Sequence, residues 1–334
     1  MSQQPTEQPC LFQPRRRHGA LDDGFDQVPQ YLFRTWAPQT NGYNDEDVIM
    51  PAAVYNGKTS SDLLSFDDEF AREMLCDHLL WKNRFDDNLT SWTSSLFYAL
   101  QLARYRNALD RRKFTYPGNI YICVLDTRKF DRKTFLPAPA LLVAYSVRSQ
   151  GKLTHSYSEG EFLSQGQLDI RGKSKVVTYE DLVSHGLNDI FPRNVPETKL
   201  WWAVHDYRKA WLSDIAIDEI ELKSSHSLAS KCFGEEWYLP MIAMLLALKP
   251  RSVKDDRIVR IKYYEKEDGP ISKLETALAR TERCSKPAIE LSEFVRIMQV
   301  LLKQAKEGEK QKNVKVPATN EIDELSKSMG GLAV

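Results

Sequence analysis

Long apolar runs are missing from this chain of 334 residues. The longest, YLPMIAMLLAL at Tyr238–Leu248, is too short to span a bilayer and reads as a buried helix, so no membrane partner is expected. The first residues, MSQQPTEQPCLFQPRRRHGA, hold no apolar core of the kind a secretory leader needs. Charge of one sign is not in excess either. With 46 basic residues against 46 acidic ones, a dedicated nucleic-acid or membrane-surface protein is disfavoured, although a local basic patch stays open. The clusters Arg15–Arg17 and Arg111–Lys113 read as solvated charge. Cysteine is sparse: five residues, at 10, 76, 123, 232 and 284, far apart and odd in number, with no metal-ligand spacing and no disulfide framework. A reduced intracellular location, cytoplasmic or nuclear, is the expectation.

Familiar catalytic signatures are lacking too. No Gly-x-Gly-x-x-Gly or Gly-x-x-x-x-Gly-Lys loop cradles a phosphate, and no Gly-x-Ser-x-Gly elbow marks a serine hydrolase. The six histidines have no zinc-ligand spacing, so no metal is expected.

What is present suffices for a sizeable core: 42% of residues are hydrophobic and 10% aromatic. Residues 1–27, rich in Pro, Gln and charge, read as a disordered tail. QYLFRTWAP (30–38) suits a buried strand, and Ser65–Arg84 a helix with Phe70, Met74, His78 and Trp81 on one face. In NLTSWTSSLFYALQLARYRNAL (88–109) a Ser/Thr-rich strand turns into a helix, with Ser94 or Ser95 as N-cap. Strands are expected in 118–130, from about Glu161 to Ile170, and at the start of 174–187. ALLVAYSV (140–147) is a strand or the tail of a helix, which periodicity does not separate. Beyond 195 the chain reads as mostly helical, at 198–212, 227–249 and 288–307, with one strand-like segment at 257–266. A flexible charged tail follows from 306 to 334. The whole is α+β, with the C-terminal helices packing on the first part rather than standing apart.

Three local features then fall in order. Arg34 lies inside the aromatic strand YLFRTW, Ser91 and Thr93 in LTSWTSS, and Glu159 and Glu161 in YSEGEFLSQG, at spacings of 57 and 70 residues from Arg34 to Ser91 and from Ser91 to Glu161. Over roughly residues 28–190 this pattern resembles the Arg–Ser–Glu class of ADP-ribosyltransferases, with an aromatic-flanked Arg on the first strand, a Ser-x-Ser/Thr motif and a Glu-x-Glu pair. It is also similar to an uncharacterised group of fungal intracellular domains carrying the same LFR, TSWTSSL and SEGEFL arrangement.

The resemblance implies a two-sheet ADP-ribosyltransferase-like domain at 28–195 and a reaction that cleaves the nicotinamide–ribose bond of NAD, as substrate. In such a site Glu161 would stabilise the oxocarbenium-like state. Arg34 would hold a phosphate of NAD bidentately. Ser91 would orient the ribose and Glu161, with Thr93 at the motif's third position; Trp92 departs from the more usual Thr between them. Glu159 and Tyr157 would face the acceptor. Strand alternation puts Glu159 and Glu161 on one side, and the glycine between them lets the backbone turn. The acceptor stays open between a protein side chain, a small molecule and a nucleic acid, as does transfer against hydrolysis. A non-catalytic interaction module with the same fold is the alternative. Geometry separates the two: Arg34, Ser91 and Glu161 should line one cleft.

Overall fold

The stretch YLFRTW, apolar except at Arg34 and Thr35, forms an interior strand, β1 (Tyr31–Trp36), covered on both faces. The computed structural model describes residues 9–82, 84–113, 119–148, 153, 158–211, 215–251, 270–283 and 288–314. The other strands within them are β2 (Tyr43–Asn44), β3 (Val48–Met50), β4 (Leu89–Thr93), β5 (Tyr121–Asp126), β6 (Leu136–Pro137), β7 (Glu161–Gln165), β8 (Leu168–Asp169) and β9 (Ser174–Thr178). They make a six-stranded sheet ordered β6-β7-β4-β1-β5-β9 and a three-stranded sheet ordered β2-β3-β8. Every pairing is antiparallel, so the chain is α+β as expected.

The large sheet is not uniformly knit. β1 pairs with β5 along its whole length, Arg34 opposite Cys123, and β4 pairs with β7 from Leu89 opposite Gln165 to Thr93 opposite Glu161. Between β1 and β4 the only paired position is Phe33 opposite Thr93. Beyond it the two strands part, and the sheet is in effect two three-stranded halves hinged at one bridge.

Each face has its own cover. On one, Leu32, Trp36, Trp92, Cys123, Leu125 and Phe162 pack against Ile49 and Leu168 of the small sheet. On the other, α1 (Asp68–Leu79) and α3 (Ala138–Ala144) cover the β4–β7–β6 half through Met74, Leu75 and Leu141. Helix α2 (Leu96–Lys113) covers the β1–β5–β9 half. Side-chain caps set both long helices: Asp67 accepts from Phe70 N, and Ser95 Oγ accepts from Tyr98 N at 2.9 Å.

The described residues of the C-terminal region are mostly helical, with α4 (Trp201–Lys209), α5 (Glu219–Ser227), α6 (Tyr238–Leu246), α7 (Pro270–Thr281) and α8 (Ile289–Val314). It is not a separate body. Phe33 and Phe97 belong to the same buried cluster as Met241, Leu245 and Phe294, so the expected boundary at 195 runs through one core. Among the described residues no helix is long and apolar enough to cross a membrane.

Several expectations are corrected. Residues 10–27, assigned to a disordered tail by composition, are folded onto the core, because Phe12, Leu21 and Phe25 anchor an otherwise polar stretch among α1, α3 and β6. Helix α1 ends at Leu79 rather than Arg84. Trp81 has φ +58 and is 56% exposed, not on the buried face with Met74. The ambiguous 140–147 segment lies mostly in helix α3. The expected strand 161–170 is two strands of different sheets, β7 and β8, which Gly166 separates at φ +66. A Cβ there would come within 2.6 Å of Cys10 Cβ, a second reason for glycine. Helix α8 continues through residues 306–314, expected as part of a loose tail. The strand-like segment 257–266 and residues 315–334 lie outside the described residues.

Candidate functional site

The unbroken β4–β7 ladder decides where the serine and the glutamate go. With Thr93 opposite Glu161 and Ser91 opposite Leu163, the three polar side chains share the face that carries α1 and α2. Ser91 and Glu161 are diagonal neighbours, and Ser91 Oγ donates to Glu161 Oε1 at 2.7 Å. Enclosure by protein pushes the Glu161 carboxyl above its ordinary range, while the Ser91 hydrogen bond and nearby His78 pull it back.

Arg34 reaches the same serine from elsewhere. By alternation along β1 it belongs with Leu32 and Trp36, on the face under the small sheet. Where β1 and β4 part, its Nη1 donates to the Ser91 carbonyl at 2.9 Å and its Nε to Asn44 Oδ1 of β2 at 2.9 Å. The expected single cleft is not found, since Arg34 and Glu161 belong to opposite faces of the large sheet. Ser91 and Glu161 meet side chain to side chain, and Arg34 joins them through the Ser91 backbone at the split. Both of these acceptors of Arg34 are neutral oxygens. Burial lowers its guanidinium to about 10, with Arg106 of α2 adding to the effect.

Strand alternation does not govern Glu159. Strand β7 begins at Glu161, and Glu159 sits exposed in the turn before it. Gly160 makes that turn at φ +78. Its carbonyl accepts from Ser94 N at 2.8 Å, and a Cβ on it would stand 2.9 Å from Ser94 Oγ. Thr93 Oγ1 accepts from Ser95 N at 3.1 Å, so this side chain shapes the entry into α2. Tyr157, the second acceptor candidate, and His155 lie outside the described residues.

Two site residues escaped sequence reasoning. His78, near the end of α1, places Nε2 at 2.8 Å from Ser91 Oγ. Its Nδ1 is 2.7 Å from Asp87 Oδ2. The other Asp87 oxygen accepts from Leu89 N at 2.9 Å, which fixes the carboxylate to the start of β4. His78 was visible only as one member of a helical face, and nothing in RFDDNLT marks Asp87. Tyr98 of α2 is near enough to feel Glu161, its phenol pushed up by burial and then by that carboxylate.

Asp87, His78 and Ser91 together have the hydrogen-bond order of a nucleophilic serine triad. Glu161 sets this site apart from one. A carboxylate 2.7 Å from the hydroxyl puts negative charge beside the place where acyl transfer would build more. The same carboxylate is well suited to stabilising a developing cation. Among the described residues no group of three or more His, Cys, Asp or Glu side chains is placed to hold a metal ion.

Residues 27–171 match a family model described as a domain of unknown function, DUF7587. That span includes Arg34, His78, Asp87, Ser91 and Glu161. No curated protein and no solved structure matches the chain.

Proposed function

We propose that the chain is an NAD-dependent mono-ADP-ribosyltransferase or NAD glycohydrolase, cleaving the nicotinamide–ribose bond at Glu161. The observation that carries this is the Ser91–Glu161 hydrogen bond across β4 and β7, with Arg34 of β1 held to the carbonyl of the same serine. Arg34, Ser91 and Glu161 lie on three strands adjacent in one sheet, in keeping with an ADP-ribosyltransferase-like two-sheet core.

The chemistry suits these groups. The C1′–N bond of NAD breaks with its electron pair going to the nicotinamide ring, which leaves neutral, and positive charge develops on the ribose. Glu161, held by Ser91, stabilises that charge. A nucleophile then bonds to C1′ and releases its proton. Arg34 is the fork for a phosphate, its guanidinium hydrogen-bonded to two neutral oxygens, Asn44 Oδ1 and the Ser91 carbonyl. Glu159, exposed at the rim, faces an acceptor. The Glu-x-Glu pair favours an arginine side chain, with nucleobases and small molecules as other candidates. Thr93, occupied with Ser95 N, serves the site through the turn rather than by contact with NAD.

The test is product analysis after incubation with NAD and agmatine as an arginine-like acceptor. ADP-ribosyl-agmatine identifies transfer, and free ADP-ribose alone identifies hydrolysis. Neither product, together with no binding of NAD in calorimetry, overturns the proposal and leaves the non-catalytic interaction module.

A further inference from the structure

Three hydrogen bonds run in line from Asp87 through His78 and Ser91 to Glu161, at 2.7, 2.8 and 2.7 Å. Each needs one hydrogen. Asp87 is an acceptor at both oxygens, taking Leu89 N on one and His78 on the other, so His78 Nδ1 carries a proton. Ser91 has a single hydrogen to give. If it goes to a carboxylate on Glu161, then His78 Nε2 must donate to Ser91 and the ring is an imidazolium. If it goes instead to a neutral His78, then Glu161 must be a carboxylic acid donating to Ser91. The two arrangements hold the same protons. They interconvert when a proton passes from His78 Nε2 to Ser91 Oγ while the serine's own proton passes to Glu161 Oε1. Removing one proton from the line leaves one of the two Ser91 contacts without a hydrogen.

We propose that His78, held by Asp87, is a positioning residue that shares one proton with Glu161 through Ser91, so that while the line holds that proton Glu161 is ionised when His78 is charged and is the acid when His78 is neutral. Resting on the NAD-cleaving reading, this gives the site its working form: Asp87 and Glu161 as carboxylates, His78 as the cation between them. The carboxylate is then available when positive charge develops on the ribose. Gain of another proton at low pH neutralises Glu161, and loss of the shared proton at high pH leaves one of the Ser91 contacts without a hydrogen and Glu161 without its charged neighbour, so the rate peaks at an intermediate pH.

The surroundings leave His78 as the cation closest to Glu161 in this line. From α1 itself Asp77 is matched by Lys82 and Arg84. Arg34 of β1 is held by Asn44 and the Ser91 carbonyl, and the charge of Asp87 acts on its guanidinium. Tyr98 of α2 faces Glu161 as a neutral phenol. Arg106 and Arg208 act on Tyr98 rather than on Glu161.

The experiment follows the Glu161 side-chain carboxyl by carbon NMR against pH, without NAD, in the full chain and in a His78→Gln variant. Glutamine keeps a hydrogen-bond donor and removes the charge. The expected result is that Glu161 ionises about one pH unit or more higher in the variant, a tenfold change in its proton affinity. Asp87→Asn, which retains an acceptor for Leu89 N, should move it the same way by less, and serves in place of His78→Gln if that variant does not fold. An unchanged Glu161 titration in a folded variant overturns the proposal. A second readout is the pH profile of kcat for nicotinamide release: the alkaline fall of the wild type should be absent from His78→Gln, whereas a loss of activity with an unaltered profile contradicts the shared proton. If the wild type releases no nicotinamide, the NAD reading fails and the carboxyl titration alone decides the role of His78.

Discussion

Ser95, the N-cap of α2, donates its hydroxyl to Glu290 at the start of α8, 195 residues further along the chain. Arg208 of α4 joins the pair, its Nε 3.1 Å from Glu290 Oε2 and its Nη2 3.2 Å from Ser95 Oγ. The helical C-terminal region therefore grips the chain two residues beyond Thr93, where the Ser/Thr motif turns into α2.

This contact gives the first prediction. Glu290 is almost fully buried, and truncating it strands both the Arg208 guanidinium and the Ser95 hydroxyl. Glu290→Ala should lower stability by about 3 kcal/mol or more. A chain ending at residue 195 should fail to fold, since it exposes the cluster that Phe33 and Phe97 share with Met241, Leu245 and Phe294. Denaturant unfolding checks the first and proton NMR dispersion the second. A well-dispersed spectrum from the shortened chain would contradict the single core.

Gly160 carries the second. Its φ of +78 and the 2.9 Å approach of Ser94 Oγ leave no comfortable place for a methyl group. Gly160→Ala should lower stability by about 1–3 kcal/mol and displace Glu161 from Ser91, with kcat falling more than KM changes. Thermal unfolding and steady-state kinetics together read both effects.

The third concerns pH. Folding raises the Glu161 carboxyl above its ordinary value of 4.5, chiefly through burial. For a group raised in this way, the contribution to stability is complete below the unfolded value and is lost as pH rises through the folded one. Glu161→Gln removes that loss while leaving a side chain able to bond Ser91. The variant should melt at a higher temperature than the wild type at pH 7, and the gain should vanish toward about pH 4. Melting curves across that range decide it, and a variant less stable at pH 7 would contradict the burial cost.

A fourth prediction separates Arg34 from an ordinary buried cation. Its two hydrogen bonds diverge, one to Asn44 and one to the Ser91 carbonyl, and a lysine reaches only one. Arg34→Lys should lower stability by about 1.5–3 kcal/mol and weaken NAD binding about tenfold or more. Calorimetry on the variant supplies the second number. Unchanged affinity would remove Arg34 from the phosphate-binding role.

Much of the frame could be read along the chain. The aromatic run of β1, the Ser/Thr strand β4 and the Ser95 cap are local signals, and they stand where composition and capping chemistry put them. The partners of Ser91 could be read only in part. Glu161 stood out as one of a pair, but His78 and Asp87 reach the serine through packing of α1 on β4, and no periodicity reports that contact. Alternation also failed at Glu159, which lies two residues before the strand begins, so the i, i+2 rule had nothing to act on. Residues 10–27 are the converse case, since the buried Phe12, Leu21 and Phe25 outweighed the polar composition around them.

The most direct measurement is nicotinamide release from NAD by the purified chain beside a Glu161→Gln variant, at matched folding and concentration. The expected result is release by the wild type that falls by about a hundredfold or more in the variant, as removal of a group stabilising transition-state charge should cause. Equal release from both, or none from the wild type, would contradict the role given to Glu161.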